Sequence, residues 1–296
     1  MASSLYWLGV ILALLAGSTT QLGSVFQKKA VNEISTELKF MKTLVKRPTW
    51  ILGVILSFGI SSIFYLAAQS FIGPALIPGL TAFGLIVLAL GSIKIVGERL
   101  KFEDIIGIFL MITGTILLSL SQLSIEIIEI NLLEVGLVIR ITIFTIILVI
   151  LSFLCHIFQK MSDKYKGILF AILSGFMFTL SNLWVSQLIG TITDIFSGFL
   201  NLAQLIMFII AAIILVFSNI LGLATIQHAY RVGNASHMVP IQQVPILIAP
   251  IFIYFLVFLM VAPSFFSIVY LILGIALIII SVFLFGKRAA QMEEIK

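Results

Sequence analysis

Nine stretches of this chain are long and apolar enough to cross a lipid bilayer, and this feature leaves few folds open. A spanning helix needs about 20 apolar residues, and its backbone polar groups must be satisfied within the segment. Because 61% of the 296 residues are hydrophobic, a soluble domain could not cover them with a polar shell. We therefore predict an all-α polytopic membrane protein with one transmembrane domain over 1–296. The predicted spans are 5–26, 51–70, 75–96, 105–122, 135–158, 167–189, 197–228, 237–261 and 265–286.

Two of these spans need comment. The first positive charges, Lys28 and Lys29, follow the apolar run 5–26 rather than precede it, which is not typical of a cleaved signal peptide. We therefore predict that the first span is retained. The seventh run is too long for one upright helix, and Gly222 is a predicted bend or interfacial turn.

Almost all basic residues lie on one side of the predicted spans, and this distribution predicts the orientation of the chain in the membrane. Every Lys and Arg except Arg140 falls in or beside a loop or tail on one side of the nine spans. The positive-inside rule then predicts a multi-pass plasma-membrane protein with the N-terminus outside and the C-terminus in the cytoplasm. Arg140 either snorkels to the outer face beside Glu134 or belongs to a substrate or counter-ion site. The charged residues of the opposite loops are all acidic, namely Glu126, Glu129, Glu134 and Asp194.

The two halves of the chain resemble each other. GVILALLAG at 9–17 aligns without gaps with GILFAILSG at 167–175, and Pro78 and Pro240 open the apolar parts of spans three and eight. We predict repeat one over 5–122, an unpaired connecting helix at 135–158 and repeat two over 167–286. The unpaired fifth helix makes the second copy of four helices inverted in the membrane, an arrangement typical of secondary transporters.

The segment GNASHMVPIQQVPILIAP at 233–250 opens the eighth span with three prolines and two adjacent glutamines. Proline lacks a backbone donor, so we predict a helix break near Pro240 and Pro245 that frees carbonyl groups toward a cavity. The alternative is that the prolines only kink the helix. The predicted lining residues are Gln21, Ser61, Gln69, Pro78, Asn182, Pro240, Gln242 and Gln243.

The segment KIVGERLKFEDIIGIFLMITGTILLSL at 94–120 resembles proteins of the drug/metabolite transporter superfamily. Its motif is Gly97, Glu98, Arg99 and Leu100, followed by a glycine-bearing helix. TWILGVILSFGISSIFYLAAQSFIGPALIPGLTAFG at 49–84 and QHAYRVGNASHMVPIQQV at 227–244 are similar to the EamA-like, NIPA-type magnesium transporters. The resemblance implies nine spans and secondary transport by alternating access, with Mg²⁺ or another divalent cation as substrate.

One departure from the family keeps other functions open. The family carries an acid in the second span near the position of Ser61 and a polar residue near that of Phe64, and this chain has neither. Mg²⁺ usually binds one or two carboxylates plus waters. A small neutral or zwitterionic organic metabolite is therefore the alternative substrate, and a non-transporting membrane scaffold is a third interpretation.

The remaining polar residues predict no enzyme. No P-loop, GxSxG or HExxH pattern is present, so we assign no catalytic residue and no cofactor. The metal ligands stay unassigned, since the three His are scattered and Cys155 is the single cysteine. His237 is a candidate proton relay or a simple interfacial residue. Glu98 and Arg99 are predicted to form a solvated ion pair with nearby lysines. The expected partners are membrane lipids and a small solute or cation, not nucleic acid, and a homodimer is compatible with the sequence.

Overall fold

The computed structural model describes residues 2–34, 40–72, 76–123, 133–161, 165–196 and 201–293. Within these residues, nine helices are long and apolar enough to cross a membrane, which confirms the predicted all-helical, multi-pass architecture. They are α1 Leu5–Asn32, α2 Pro48–Ile72, α3 Ile77–Val96, α4 Phe102–Leu120, α5 Val135–Met161, α6 Lys166–Leu188, α7 Leu202–Val232, α8 Ala235–Val257 and α9 Phe265–Ala290. The helical backbone extends beyond three of these spans, over Ala2–Asn32, Lys166–Phe196 and Phe265–Glu293. A short helix, Phe40–Leu44, precedes α2.

The seventh span is one continuous helix, so the bend predicted at Gly222 is wrong. Gly222 is buried, and a Cβ atom there would meet the ring of Phe178 at 3.1 Å. This glycine therefore lets α6 and α7 approach each other. At 1.5 Å per residue, the 31 residues of Leu202–Val232 span about 46 Å, which exceeds the hydrocarbon thickness and requires tilt.

The break predicted near Pro240 and Pro245 is also wrong. The backbone is α-helical over Ala235–Phe252, with all three prolines inside, and continues as a π-helix over Ile253–Val257. A proline removes only its own N–H, so the neighbouring hydrogen bonds can carry the helix past it. The interruption lies instead in α3, at Phe83 between the helices Ile77–Ala82 and Gly84–Gly91. Pro78 lies in the first turn of α3, where backbone N–H groups have no helical acceptor, so its missing N–H costs no hydrogen bond.

The two groups of four helices pack in a similar way. α1 contacts α2 and α3, α6 contacts α7 and α8, and α4 packs on α9, while α5 lies against α6. Glycines allow the closest of these approaches. A Cβ atom at Gly17 would collide with the backbone of Thr81 in α3, and one at Gly175 with the carbonyl oxygen of Gln242 in α8.

Basic side chains collect at one end of the bundle, where α1, α3, α5, α7 and α9 finish. We call this end, with Lys94, Arg99, Lys101, Lys166 and Arg231, the basic end. Parts of two predicted segments lie outside the described residues. They are Glu126 and Glu129, in the connection between α4 and α5, and 197–200, the first four residues of the predicted seventh span. The same holds for 35–39 of the connection between α1 and α2.

Candidate functional site

A cavity of about 210 Å³ lies between α1, α2, α6, α7 and α8. Amide, hydroxyl and aromatic groups dominate its wall, and none of the described lining residues carries a formal charge. The lining residues are Thr20, Gln21, Ser24, Gln27, Ser57, Phe58, Phe178, Asn182, Leu223, Ile226, Tyr230, Val239, Gln242, Gln243 and Ile246. Such a wall can surround a polar solute or a hydrated ion.

The α1 side of the cavity is a polar stripe. Thr20, Ser24 and Gln27 recur at spacings of four and three residues, which places them on one face of the helix together with Gln21. Only 6% of the Gln21 surface is exposed, and its Oε1 atom has no hydrogen-bond partner within the described structure. Buried polar atoms are normally paired, so this amide oxygen, which is enclosed behind the lining surface, has an unused hydrogen-bonding capacity beside the cavity.

Gln27 connects α1 to two other helices. Its Nε2 donates to Ser57 Oγ of α2 at 3.2 Å, and its Oε1 accepts from Gln227 Nε2 of α7 at 2.7 Å. Both glutamines are almost completely buried. This amide network therefore holds the three helices at the cavity in one arrangement.

On the opposite wall, α8 presents a glutamine and a weakened backbone. Gln242 Nε2 donates to Ser174 Oγ of α6 at 2.7 Å, and that hydroxyl donates to the carbonyl oxygen of Gly222 in α7 at 2.6 Å. The carbonyl group of Ile246, a lining residue, has lost its α-helical donor because residue 250 is proline. The wall therefore contains side-chain oxygen acceptors, and the backbone of one lining residue has lost an α-helical hydrogen bond.

The structure brings four of the predicted lining residues together, Gln21, Asn182, Gln242 and Gln243. Ser61 is buried behind the wall, where it donates to the carbonyl oxygen of Ala16 at 2.9 Å and shares a hydrogen bond with Thr20. Gln69 is exposed, and neither Pro78 nor Pro240 lines the cavity.

Sequence reasoning missed Thr20, Ser24, Gln27 and Tyr230. The polar spacing along α1 was the available signal for the first three. The placement of Tyr230 depends on how α7 packs, which no local pattern encodes.

Charged side chains gather at the basic end, beside the cavity. The solvated ion pair predicted for Glu98 is wrong. Glu98 is only 8% exposed and accepts from the backbone N–H groups of Ala235 and Ser236 at the start of α8. Lys28 is also buried and donates to the carbonyl oxygens of Tyr230 and Gly233 at the end of α7.

His237 forms a buried pair with Asp104 of α4, with 2.9 Å between Nε2 and Oδ1. The second carboxylate oxygen of Asp104 accepts from the backbone N–H of Lys101 at 2.7 Å. The Nδ1 atom of His237 has no partner within the described residues. His237 thus lies in the first turn of α8 at the basic end, as expected, but it is buried rather than exposed at the interface, and the relay stays a prediction.

Arg140 does not line the cavity, and its guanidinium lies with the Glu134 carboxylate beside Gly136, near the outer end of α5. Its Nε donates at 2.7 Å to the carbonyl oxygen of Val257, the last residue of α8. In the described part of the chain, no group of three or more His, Cys, Asp or Glu side chains is arranged so that it could hold a metal.

The family of the chain is shown by comparison with known sequences. The sequence model of the family described as "Magnesium transporter NIPA" matches residues 4–291, nearly the whole chain. No curated protein and no solved structure matches. With nine helices of membrane-crossing length among its described residues and a polar cavity between five of them, the chain belongs to the family of NIPA magnesium transporters, within the EamA-like, drug/metabolite transporter superfamily.

Proposed function

We propose that this protein carries Mg²⁺ across the membrane by alternating access, with the cavity between α1, α2, α6, α7 and α8 as its binding site. Its family indicates membrane cation transport and a non-enzymatic role. The observation that carries the proposal is the cavity wall of amides and hydroxyls, beside which the orphaned Oε1 of Gln21 lies enclosed. Oxygen atoms of this kind are the ligands and hydrogen-bond acceptors that a hydrated Mg²⁺ requires.

The size of the cavity supports a hydrated ion rather than a bare one. A volume of about 210 Å³ accommodates several water molecules, so an ion can enter with at least part of its hydration shell. Mg²⁺ gives up its waters reluctantly, so the wall would accept hydrogen bonds from them instead of replacing them. Without a carboxylate among the described lining residues, we expect weak binding.

Alternating access is supported by equivalent contacts in the two halves. Gly17 lies against the backbone of α3, and Gly175, at the matching position of repeat two, lies against the backbone of α8. Gly114 of α4 and Gly274 of α9 lie against each other's carbonyl groups. Two similar halves that meet at such contacts can exchange conformations to open the cavity at either end. On this proposal the basic end faces the cytoplasm.

The direct test is Mg²⁺ uptake into liposomes that contain the purified protein and a trapped indicator. Gln21→Leu removes the orphaned oxygen, and we expect the uptake rate to fall at least tenfold. Gln69→Leu is the matched control, because Gln69 is exposed and does not line the cavity. Uptake that is equal in both variants would exclude this cavity as the route.

The uncharged wall favours one second candidate, a small neutral or zwitterionic organic solute. A neutral solute needs no compensating charge in the cavity, whereas a cation does. Exchange of labelled neutral solutes by the same liposomes, in the absence of any Mg²⁺ flux, would move the assignment to this class. The presence of a cavity with polar lining residues argues against the third interpretation, a scaffold with a dry core.

A further inference from the structure

The cavity is enclosed differently at its two ends. Two closely packed helix pairs face each other across it, α1 with α2 and α6 with α7, and they hold matching places in the two predicted repeats. In inverted repeats, the contact of α1 with α7 has a counterpart between α6 and α2, and the two contacts lie toward opposite ends of the bundle. A difference between these two contacts therefore tells which end of the cavity is open.

At the basic end, α1 is packed closely against α7. The two helices contribute Val31 and Ile226 to the largest buried apolar cluster. The hydrogen bond between Gln27 and Gln227 lies between the same helices, and Lys28 donates to two carbonyl oxygens at the end of α7. None of Gln27, Gln227 and Lys28 is more than 6% exposed. Apolar packing and hydrogen bonds thus seal the cavity between α1 and α7 at this end.

At the opposite end, α2 is not packed closely on α6 within the described residues. In the outer part of α2, Ser61–Ile72, the buried residues are Ser61 and Ala68. Both face α1, since Ser61 donates to a carbonyl oxygen of that helix and Ala68 shares a small apolar cluster with Ala13. Asn182 of α6 lines the cavity and is nevertheless exposed. The wall of the cavity is therefore accessible on this side.

An aromatic pair joins α2 to α6 near the middle of both helices. Phe58 and Phe178 line the cavity, and their rings stack with centroids 5.9 Å apart. Phe58 belongs to the π-helical segment Ile55–Ile60, a rare conformation that is frequent at functional sites. The ring of Phe178 rests on α7 at Gly222, where an added Cβ would lie 3.1 Å from it. One turn farther from the basic end, Asn182 is already exposed, so the gap between α2 and α6 begins just beyond the rings.

We propose that the present conformation opens at the end opposite the basic end, and that transport requires the outer half of α2 to close on α6 while α1 separates from α7. The pair of Gln27 and Gln227 then belongs to the gate of the basic end, and Ser62, one turn beyond Phe58, belongs to the gate of the opposite end. Because one packed contact is lost while its counterpart forms, the two conformations can be close in free energy, as exchange between them requires. This inference rests on the proposed alternating access and assigns residues to its two gates.

The test is labelling of Gln243→Cys, a position in the cavity wall, in full-length protein in liposomes with Cys155→Ala. A membrane-impermeant maleimide is added from one side at a time. Without further substitution, labelling should be at least about tenfold faster from the end opposite the basic end, because the minor conformation is sparsely populated. Gln227→Ala removes the amide bond of the basic-end gate and should speed labelling from the basic end about fivefold, the factor expected for one hydrogen bond between membrane helices. It should not speed labelling from the opposite end.

A bulky side chain tests the other gate. Ser62 is exposed, so Ser62→Trp is tolerated in the present conformation but obstructs the closing of α2 on α6. Labelling of Gln243→Cys from the basic end should then slow at least about fivefold, as expected from overpacking in the closed contact. Ile63→Trp is the matched control. Ile63 is also exposed, but it points about 100° away around the helix, so this variant should change neither rate.

Three results would overturn the proposal. The first is faster labelling from the basic end in the protein without further substitution. The second is a Gln227→Ala effect of equal size from both sides, which would mean general loosening rather than the opening of one gate. The third is an equal effect of Ser62→Trp and Ile63→Trp, and this comparison decides alone if Gln227→Ala does not fold. Because labelling needs no substrate, the experiment can fail or succeed independently of Mg²⁺ uptake.

Discussion

The contact between α4 and α9 allows a quantitative test of the packing. A Cβ atom at Gly114 would lie 2.9 Å from the carbonyl oxygen of Gly274, and one at Gly274 would lie 2.9 Å from that of Gly114. Ordinary contacts begin near 3.4 Å, so either alanine must push the helices apart by about 0.5 Å. Overpacking of this kind costs about 1–3 kcal/mol, and alanine recovers up to about 1 kcal/mol in helix propensity. Each single Gly→Ala variant should therefore lose roughly 0.5–2 kcal/mol.

The double variant distinguishes steric overpacking between α4 and α9 from a general loss of stability. A single separation of α4 from α9 relieves both steric contacts, whereas each of the two alanines adds its own gain in helix propensity. Gly114→Ala with Gly274→Ala should thus be no less stable than the weaker single variant, and the favourable coupling should equal the shared overpacking cost of about 1–3 kcal/mol. Unfolding by sodium dodecyl sulfate, followed by tryptophan fluorescence, measures these differences. Gly286→Ala, also in α9 but with no atom within 4 Å of the added Cβ, should cost nothing. Additive losses in the double variant would refute the reasoning.

Three further substitutions test the polar contacts by the same titration. Gln227→Leu leaves Gln27 Oε1 without its donor and should cost about 0.6–1.7 kcal/mol, whereas an unchanged midpoint would mean that the amide pair contributes nothing. His237→Leu removes a donor from buried Asp104 and should cost about 1–3 kcal/mol, while His237→Gln, which can still donate, should cost less. Gly97→Ala forces a side chain into a left-handed turn and should cost about 1–2 kcal/mol, and a neutral result would show that this turn can relax.

The spanning helices could be predicted because hydrophobic length is a local property. All nine predicted spans overlap a helix of the structure, and the polar residues Gln21, Asn182, Gln242 and Gln243 stood out against apolar neighbours. Local composition also explains the errors. The prolines of α8 indicate lost donors, but whether a helix breaks there depends on its packed surroundings.

The contacts at the ends of α8 could not be predicted in this way. Glu98 and Ala235 are 137 residues apart, and Arg140 and Val257 are 117 apart. A charged residue beside a loop looks solvated in the sequence whether or not a distant helix end covers it. Only the packing of α3 and α5 against α8 turns these two charges into caps.

A negative charge at the cavity would favour a cation over a neutral solute, and a substitution at position 61 can introduce such a charge. Ser61 is buried and hydrogen-bonded to Thr20, which lines the cavity, and the resemblance to the family places an acid near this position. Ser61→Asp would put a carboxylate beside a wall that has no formal charge among its described residues. Because Mg²⁺ gains from a carboxylate and a neutral solute does not, the Mg²⁺ concentration for half-maximal uptake should fall about tenfold, equivalent to about 1.4 kcal/mol. Ser61→Asn, of similar size and uncharged, is the control and should give no such gain. If Ser61→Asp folds but binds Mg²⁺ no more tightly, charge does not limit this site, and the neutral solute becomes the better assignment.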